Sequence, residues 1–196
     1  MTMQIGVLAV QGAYSAHLDR LHRLGVTARL VRHSDELEGL DGLVLPGGES
    51  TAMLRLLERQ GGLGPLRDFV RRHPTLGTCA GLILLAEKVT PAQAGLGLLD
   101  VEVTRNGYGR QLDSRVVTGS FLADGESQQT AMEMVFIRAP RITATGPQVK
   151  TLATREGEPV LVRQGHLLGC AFHPELGQDD RIHRLLLDLV NAQTTA

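Results

Sequence analysis

The sequence predicts an α/β fold with a mostly parallel or mixed sheet and helices on both faces. Three observations lead there. The first candidate strand, Gln4-Ile5-Gly6-Val7-Leu8-Ala9-Val10, is nearly all apolar, which suits a strand covered on both faces. Up to about residue 90 strand and helix patterns alternate, and that alternation implies right-handed βαβ units. Beyond it the pattern changes to a succession of strands broken by turns, which implies antiparallel or mixed strands extending one edge of the sheet. A chain of 196 residues, 42% of them hydrophobic, suits one sizeable domain over residues 1–196.

The elements follow in order. After the first strand, Gln11-Gly12-Ala13 makes a turn, Leu18, Leu21 and Leu24 recur at helical spacing, and Gly25 closes that helix. Thr27 to Val31 is a second strand, and Leu43-Val44-Leu45 a third that ends at Pro46-Gly47-Gly48. Ser50 is a candidate N-cap for a helix carrying Met53, Leu54 and Leu57. A helix around Pro65 to Arg72 leads to the stretch Thr75-Leu76-Gly77-Thr78-Cys79-Ala80-Gly81-Leu82. The second half offers strands at Val101–Val103, Arg115–Leu122, Met132–Arg138, Val149–Thr154, Val160–Arg163 and Leu167–Phe172. Turns fall at Glu156-Gly157-Glu158-Pro159 and Gln164-Gly165-His166, and Asp124 to Thr130 reads as an exposed loop. Arg181 to Ala192 closes as an amphipathic helix with Ile182, Leu185, Leu186, Leu189 and Val190 on one face.

Composition removes several classes of function. A formal net charge of -1 gives no bias toward nucleic acid or a membrane surface. Two Tyr, four Phe and no Trp leave few platforms for base stacking. With Cys79 and Cys170 as its two cysteines, the chain has neither a disulfide framework nor a Cys-based zinc site. No metal or cofactor is expected. The start, Met1-Thr2-Met3-Gln4-Ile5-Gly6, lacks the basic and apolar regions of a signal peptide, so a reducing cytoplasm is the expected compartment.

The chemistry concentrates where strands end. Around Cys79 a short apolar strand runs into a cysteine and a helix leaves it, with Gly77, Ala80 and Gly81 crowding the bend. A nucleophile elbow needs small residues there, because strand and helix pass close together. A helix start also favours thiolate over thiol. Taken alone, Cys79 is equally readable as a small core residue. In Phe172-His173-Pro174-Glu175-Leu176, Pro174 biases His173 toward an extended backbone, so His173 and Glu175 face one side together. A carboxylate beside an imidazole fixes its tautomer and stabilises the imidazolium. Cys79, His173 and Glu175 thus suit acyl transfer, and the backbone N–H groups of Gly48 and Ala80 are candidates for the oxyanion hole. Cys170, within the apolar run Leu167–Phe172, reads as an inert core residue.

An ordered set of strings carries a family resemblance. It comprises Gly6-Val7-Leu8-Ala9-Val10-Gln11-Gly12, Leu45-Pro46-Gly47-Gly48-Glu49-Ser50-Thr51, Gly77-Thr78-Cys79-Ala80-Gly81-Leu82-Ile83, Arg105-Asn106 with Tyr108-Gly109-Arg110-Gln111, Phe136-Ile137-Arg138-Ala139-Pro140 and Phe172-His173-Pro174-Glu175. Together they resemble the triad-type (class I) glutamine amidotransferases of flavodoxin-like fold, and among these the glutaminase subunits of pyridoxal 5′-phosphate synthases. The resemblance implies hydrolysis of L-glutamine to glutamate and ammonia through a cysteine thioester. It implies a partner, a (β/α)8-barrel synthase subunit, in a large hetero-oligomer where that partner receives the ammonia. It implies Cys79 as nucleophile, His173 as base and Glu175 as orienter. The glutamine site would comprise Gly47, Gly48, Glu49, Arg105, Ile137 and Arg138, with Gln11 completing the oxyanion hole when the partner docks. An arginine suits an α-carboxylate and a glutamate an α-ammonium, but the sequence does not choose between Arg105 and Arg138. Ala16 and Gly177 depart from the family's usual polar residues. Two other readings compete: an elbow-cysteine hydrolase or stress protein of the same fold, and an inactive regulatory scaffold.

Overall fold

The computed structural model describes residues 2–108, 114–123 and 126–195. Among these the chain runs β1 (Gln4–Leu8), α1 (Tyr14–Arg23), β2 (Thr27–Val31), a 3-10 turn (Ser34–Leu37), β3 (Gly42–Leu45), α2 (Ser50–Arg59), α3 (Leu63–Val70), β4 (Thr75–Thr78) and α4 (Ala80–Leu85). It continues with β5 (Ala86–Thr90), β6 (Leu99–Thr104), β7 (Ser114–Phe121), β8 (Thr130–Ile137), β9 (Arg141–Thr145), β10 (Lys150–Arg155), β11 (Glu158–Gln164), β12 (Leu167–Cys170) and α5 (Arg181–Thr194).

The main sheet has the order β2-β1-β3-β4-β12-β11-β10-β7-β8 among the described residues. From β2 to β12 every pairing is parallel, and from β12 to β8 every pairing is antiparallel. The switch is written in the residues. Strands β1, β3, β4 and β12 are buried almost throughout, as continuous apolar runs between two helical layers must be. Strand β8 instead alternates, with Met132, Met134 and Phe136 inward, the pattern of a sheet with one solvated face. This antiparallel half curls back on the parallel half, so that Val135 O on β8 accepts from His173 N at 2.8 Å.

Helices cover both faces of the parallel half. Successive strand residues point to opposite sides. On β4, Thr78 meets His17 of α1, whereas Gly77 lies against Gly81 and Leu85 of α4. Helices α1 and α4 therefore lie on opposite faces, and α5 joins α1 through contact of the His17 and His183 rings.

The structure departs from the sequence reading in a few places. The N-cap of α2 is Glu49, not Ser50. The Glu49 carboxylate accepts from Thr51 N at 3.1 Å and Ala52 N at 2.7 Å, and its longer side chain reaches back where Ser50 has already entered the helix. Strands β5 and β9 are absent from the sequence reading. They flank β6 in a separate three-stranded sheet, and each carries a single buried residue, Ala86 and Ile142, too weak an apolar signal to read alone. Glu158-Pro159 belongs to β11 rather than to a turn. Asp124, the start of the expected 124–130 loop, and Gly109-Arg110-Gln111 lie outside the described residues.

Gly81 sets how closely α4 can approach the sheet, because a Cβ there would overlap Leu45 O of β3. Gly81→Ala should therefore cost about 1–3 kcal/mol, as overpacking does, and lower the urea midpoint. An unchanged midpoint would show that helix and strand do not need this approach.

Candidate active site

The parallel pairing of β4 with β12 brings the two halves of the site together. Thr78 is opposite Cys170 in the register, so the residues leaving the two strand ends, Cys79 and Ala171 to His173, emerge side by side. Cys79 takes φ 48° and ψ −102° between strand and helix, a conformation costing roughly 1–3 kcal/mol for a residue with a Cβ. Its N–H donates to Cys170 O at 2.8 Å, tying the bend to β12. The helix α4 starts at Ala80, whose N–H has no acceptor within the helix.

His173 and Glu175 do face one side. His173 Nδ1 lies 2.7 Å from Glu175 Oε1, and the imidazole lines the same cleft as Cys79. Both residues are buried. Gly47 has no room for a Cβ, which would strike the His173 ring. Burial works against a charged His173, but its interactions with neighbouring Cys79 and with the hydrogen-bonded, charged Glu175 outweigh it, lifting its pKa to about 10. Burial likewise pushes Glu175 upward, and the neighbouring His17 ring together with the hydrogen bond and charge of His173 hold it below its ordinary value. Cys170 is fully buried and burial drives its thiol well up, so it is inert beside Cys79.

A cleft of about 400 Å³ opens over this series. Gln11, Gly48, Glu49, Arg105, Ile137 and Arg138 line it together with Cys79 and His173. Ser50, Ile83 and Asn106 line it too, with no signal in the sequence to single them out. Arg105 Nη2 is 3.2 Å from Glu49 Oε1, while Arg138, at φ 42° and exposed, makes no ion pair among the described residues. Gln11 Oε1 accepts from Glu49 N at 2.8 Å, and a Cβ on Gly48 would collide with that amide oxygen. Gln11, Gly48 and Glu49 are therefore packed against one another at the rim of the cleft. A second depression of about 440 Å³, against Leu37, Phe69 and His73, holds none of the candidate site residues.

Behind the cleft lie polar residues that the sequence reading passes over. The buried stripe of α1 is His17, Arg20 and Leu21, not the leucine face alone. A His and an Arg spaced three apart on the buried side of an amphipathic helix are the signal available. Arg20 donates to the carbonyls of Glu175, at 3.3 Å, and Gly177, and to Asp180 Oδ1 at 2.6 Å.

Comparison with known proteins identifies the family of the chain. Residues 7–192 match the SNO glutamine amidotransferase family, and the chain belongs to that family. It is 51% identical over 189 residues to the pyridoxal 5′-phosphate synthase subunit PdxT of Koribacter versatilis, covering 96% of each chain. It is 48% identical over 194 residues to the PdxT of Deinococcus radiodurans, covering 95% of this chain and 97% of that one. A crystal structure of a glutamine amidotransferase superposes with a TM-score of 0.87 at 41% identity, covering 95% of this chain and 98% of the other. The fold is thus the flavodoxin-like one of the class I amidotransferases, as the resemblance implied. A GMP synthase component from Thermoplasma acidophilum, at TM-score 0.75 and 20% identity, shares the fold.

The ionisable series sets a pH window. His173, raised to about 10, contributes stability that is fully present below its unfolded value near 6.5 and lost as pH rises toward its folded value. Glu175, lowered, contributes stability present above its unfolded value and lost as pH falls through its folded one. Urea midpoints should therefore decline between about pH 7 and 10, and Glu175→Gln should make that alkaline decline shallower. An equally steep decline in the variant would disconnect Glu175 from the His173 charge.

Proposed function

We propose that Cys79, His173 and Glu175 are the nucleophile, the general base and acid, and the orienter of a glutaminase. The carrying observation is the strained elbow cysteine facing the same cleft as the His173 ring, whose Nδ1 is 2.7 Å from Glu175 Oε1. Thiolate attack on the side-chain amide carbon of L-glutamine gives a tetrahedral oxyanion. The N–H groups of Gly48 and Ala80 receive it, with Gln11 completing the hole. His173 hands its proton to the departing ammonia and leaves a γ-glutamyl thioester on Cys79. A water molecule, deprotonated by His173, then releases glutamate and restores the thiolate. Glu49 takes the α-ammonium and Arg138, the less encumbered arginine, the α-carboxylate, with Arg105 holding Glu49 in place and Gly47 and Ile137 shaping the cleft.

The protein is the ammonia-donating glutaminase of a pyridoxal 5′-phosphate synthase and serves vitamin B6 synthesis, working with a synthase partner. We infer that this partner is a (β/α)8-barrel protein in a large hetero-oligomer that condenses the ammonia with a pentose phosphate and a triose phosphate. Residues 1–196 act as one amidotransferase domain, in the cytoplasm, with neither nucleic acid nor membrane as partner. Support for partner control lies in the Gln11 loop. Its amide oxygen already holds Glu49 N–H, so a partner pressing on Gln11 shifts the Gly48 and Glu49 backbone beside the nucleophile.

Glutamine hydrolysis should be low for the chain alone and rise when the synthase partner is added; full activity without it would remove the activation idea. Cys79→Ala should abolish turnover while leaving partner binding intact, whereas near wild-type turnover would refute the nucleophile. An electrophilic glutamine analogue should label Cys79 and spare Cys170, by mass mapping. Arg138→Ala should raise KM roughly tenfold or more with a smaller change in kcat, as loss of uniform binding does; an unchanged KM would return the carboxylate to Arg105.

A further inference from the structure

A second imidazole, unused in the reaction as written, sits beneath the triad. His17 of α1 is fully buried. Its Nε2 is 3.3 Å from Glu175 Oε2 and 3.1 Å from Thr78 Oγ1, and its Nδ1 is 2.9 Å from His183 Nε2. The two oxygens of Glu175 are treated unequally. Oε1 holds His173, while Oε2 is buried and has no hydrogen-bond partner of good geometry. His17 Nε2 stands beside it.

The proton positions follow from what is left unpaired. His183 Nδ1 is buried and has no partner. If His183 carries its proton on Nε2, it donates to His17 Nδ1, and the orphan at His183 is only a lone pair. His17 then carries its own proton on Nε2, bonded to Thr78 Oγ1 at 3.1 Å with Glu175 Oε2 alongside at 3.3 Å. The reverse arrangement strands a buried N–H on His183, the costlier orphan. It also sets the His17 Nε2 lone pair against a carboxylate oxygen. Both counts favour the first.

The groups facing His17 are Glu175 and His173 from the loop after β12, Arg20 from α1, Thr78 from β4 and His183 from α5. Burial first, then the charges of His173 and Arg20, outweigh the pull of Glu175 and lower the pKa of His17 to about 4. A neutral donor suits the place. It sets an N–H dipole beside Oε2 without cancelling the carboxylate charge, which stays available to the His173 imidazolium. A lysine or arginine there would compete for that charge. Arg20, one turn further along α1, binds the Glu175 and Gly177 carbonyls instead, so α1 grips the same segment by side chain and by backbone.

We propose that His17 is a positioning residue for this site: its neutral Nε2–H, anchored on Thr78 Oγ1, borders Glu175 Oε2 at 3.3 Å and biases the carboxylate so that Oε1 faces His173 Nδ1, aligning the imidazole with Cys79. The inference rests on the triad reading given above. The test compares wild type, His17→Leu, His17→Gln and Cys79→Ala, each assembled with the synthase partner. Steady-state glutamine hydrolysis is measured, together with the pH dependence of Cys79 alkylation by iodoacetamide. His17→Leu should lose about 10–100-fold in kcat, the usual cost of removing an outer-shell partner, with KM little changed. Its alkylation profile should shift, because the imidazolium beside the thiolate is less well held. His17→Gln, which restores an N–H donor, should regain most of the loss. Wild-type kcat and an unshifted alkylation profile in folded His17→Leu would overturn the role, as would equal impairment of the Leu and Gln variants. Should either variant be less stable, alkylation at low temperature, where it is folded, decides on the same criteria. Turnover surviving in Cys79→Ala would sink the triad reading itself and this inference with it. A dead Cys79→Ala beside an unimpaired His17→Leu would remove the positioning role alone.

Discussion

The parallel ladder between β4 and β12 is the contact on which the rest depends. Two four-residue strands lie side by side with Thr78 opposite Cys170, and each releases its next residues at the same edge. One supplies the cysteine and the other the imidazole. The ladder also continues past its formal end, because Cys79 N–H donates to Cys170 O. That bond helps hold the elbow cysteine at a positive φ. The glycines around it answer to the same constraint. Gly77 and Gly81 let α4 pass close to the sheet, and Gly47 leaves space for the His173 ring.

Electrostatics at the site are arranged as a graded series rather than as isolated pairs. Burial alone would neutralise each member. The imidazolium of His173 survives because it lies between the thiol and a carboxylate, and the carboxylate survives because His173 takes one oxygen and His17 borders the other. Deeper in, His17 and His183 are held neutral. The deeper imidazoles thus stay neutral, and the buried guanidinium of Arg20 beside them is paired with Asp180.

Much of this is legible in the chain itself. The apolar runs of β1 and β3 announce a buried parallel sheet, and Pro174 between His173 and Glu175 announces two side chains on one side. The illegible parts share a physical reason: they depend on partners distant in sequence. Strands β5 and β9 bury one residue each and exist by pairing with β6. Glu49 caps α2 in place of Ser50 because its carboxylate folds back over the first turn while also meeting Arg105. His17 reads as one polar residue on a leucine helix until α5 and the loop after β12 are brought against it.

The wide sequence separation of β4 and β12 bears on how the molecule is made. During synthesis β1, β3 and β4 can pair as soon as they emerge, yet β4 then has no neighbour on its far side until residues 167–170 follow. Over that interval it offers a buried-type apolar edge with open N–H and C=O groups, the feature that invites wrong pairing with another chain. A nascent chain folded that far would be a half-sheet awaiting its closing strand. The segment from β12 to Glu175 seals that edge and delivers His173 and Glu175 beside Cys79 in the same step, so a chain stalled before it is adhesive and lacks the proposed base and orienter.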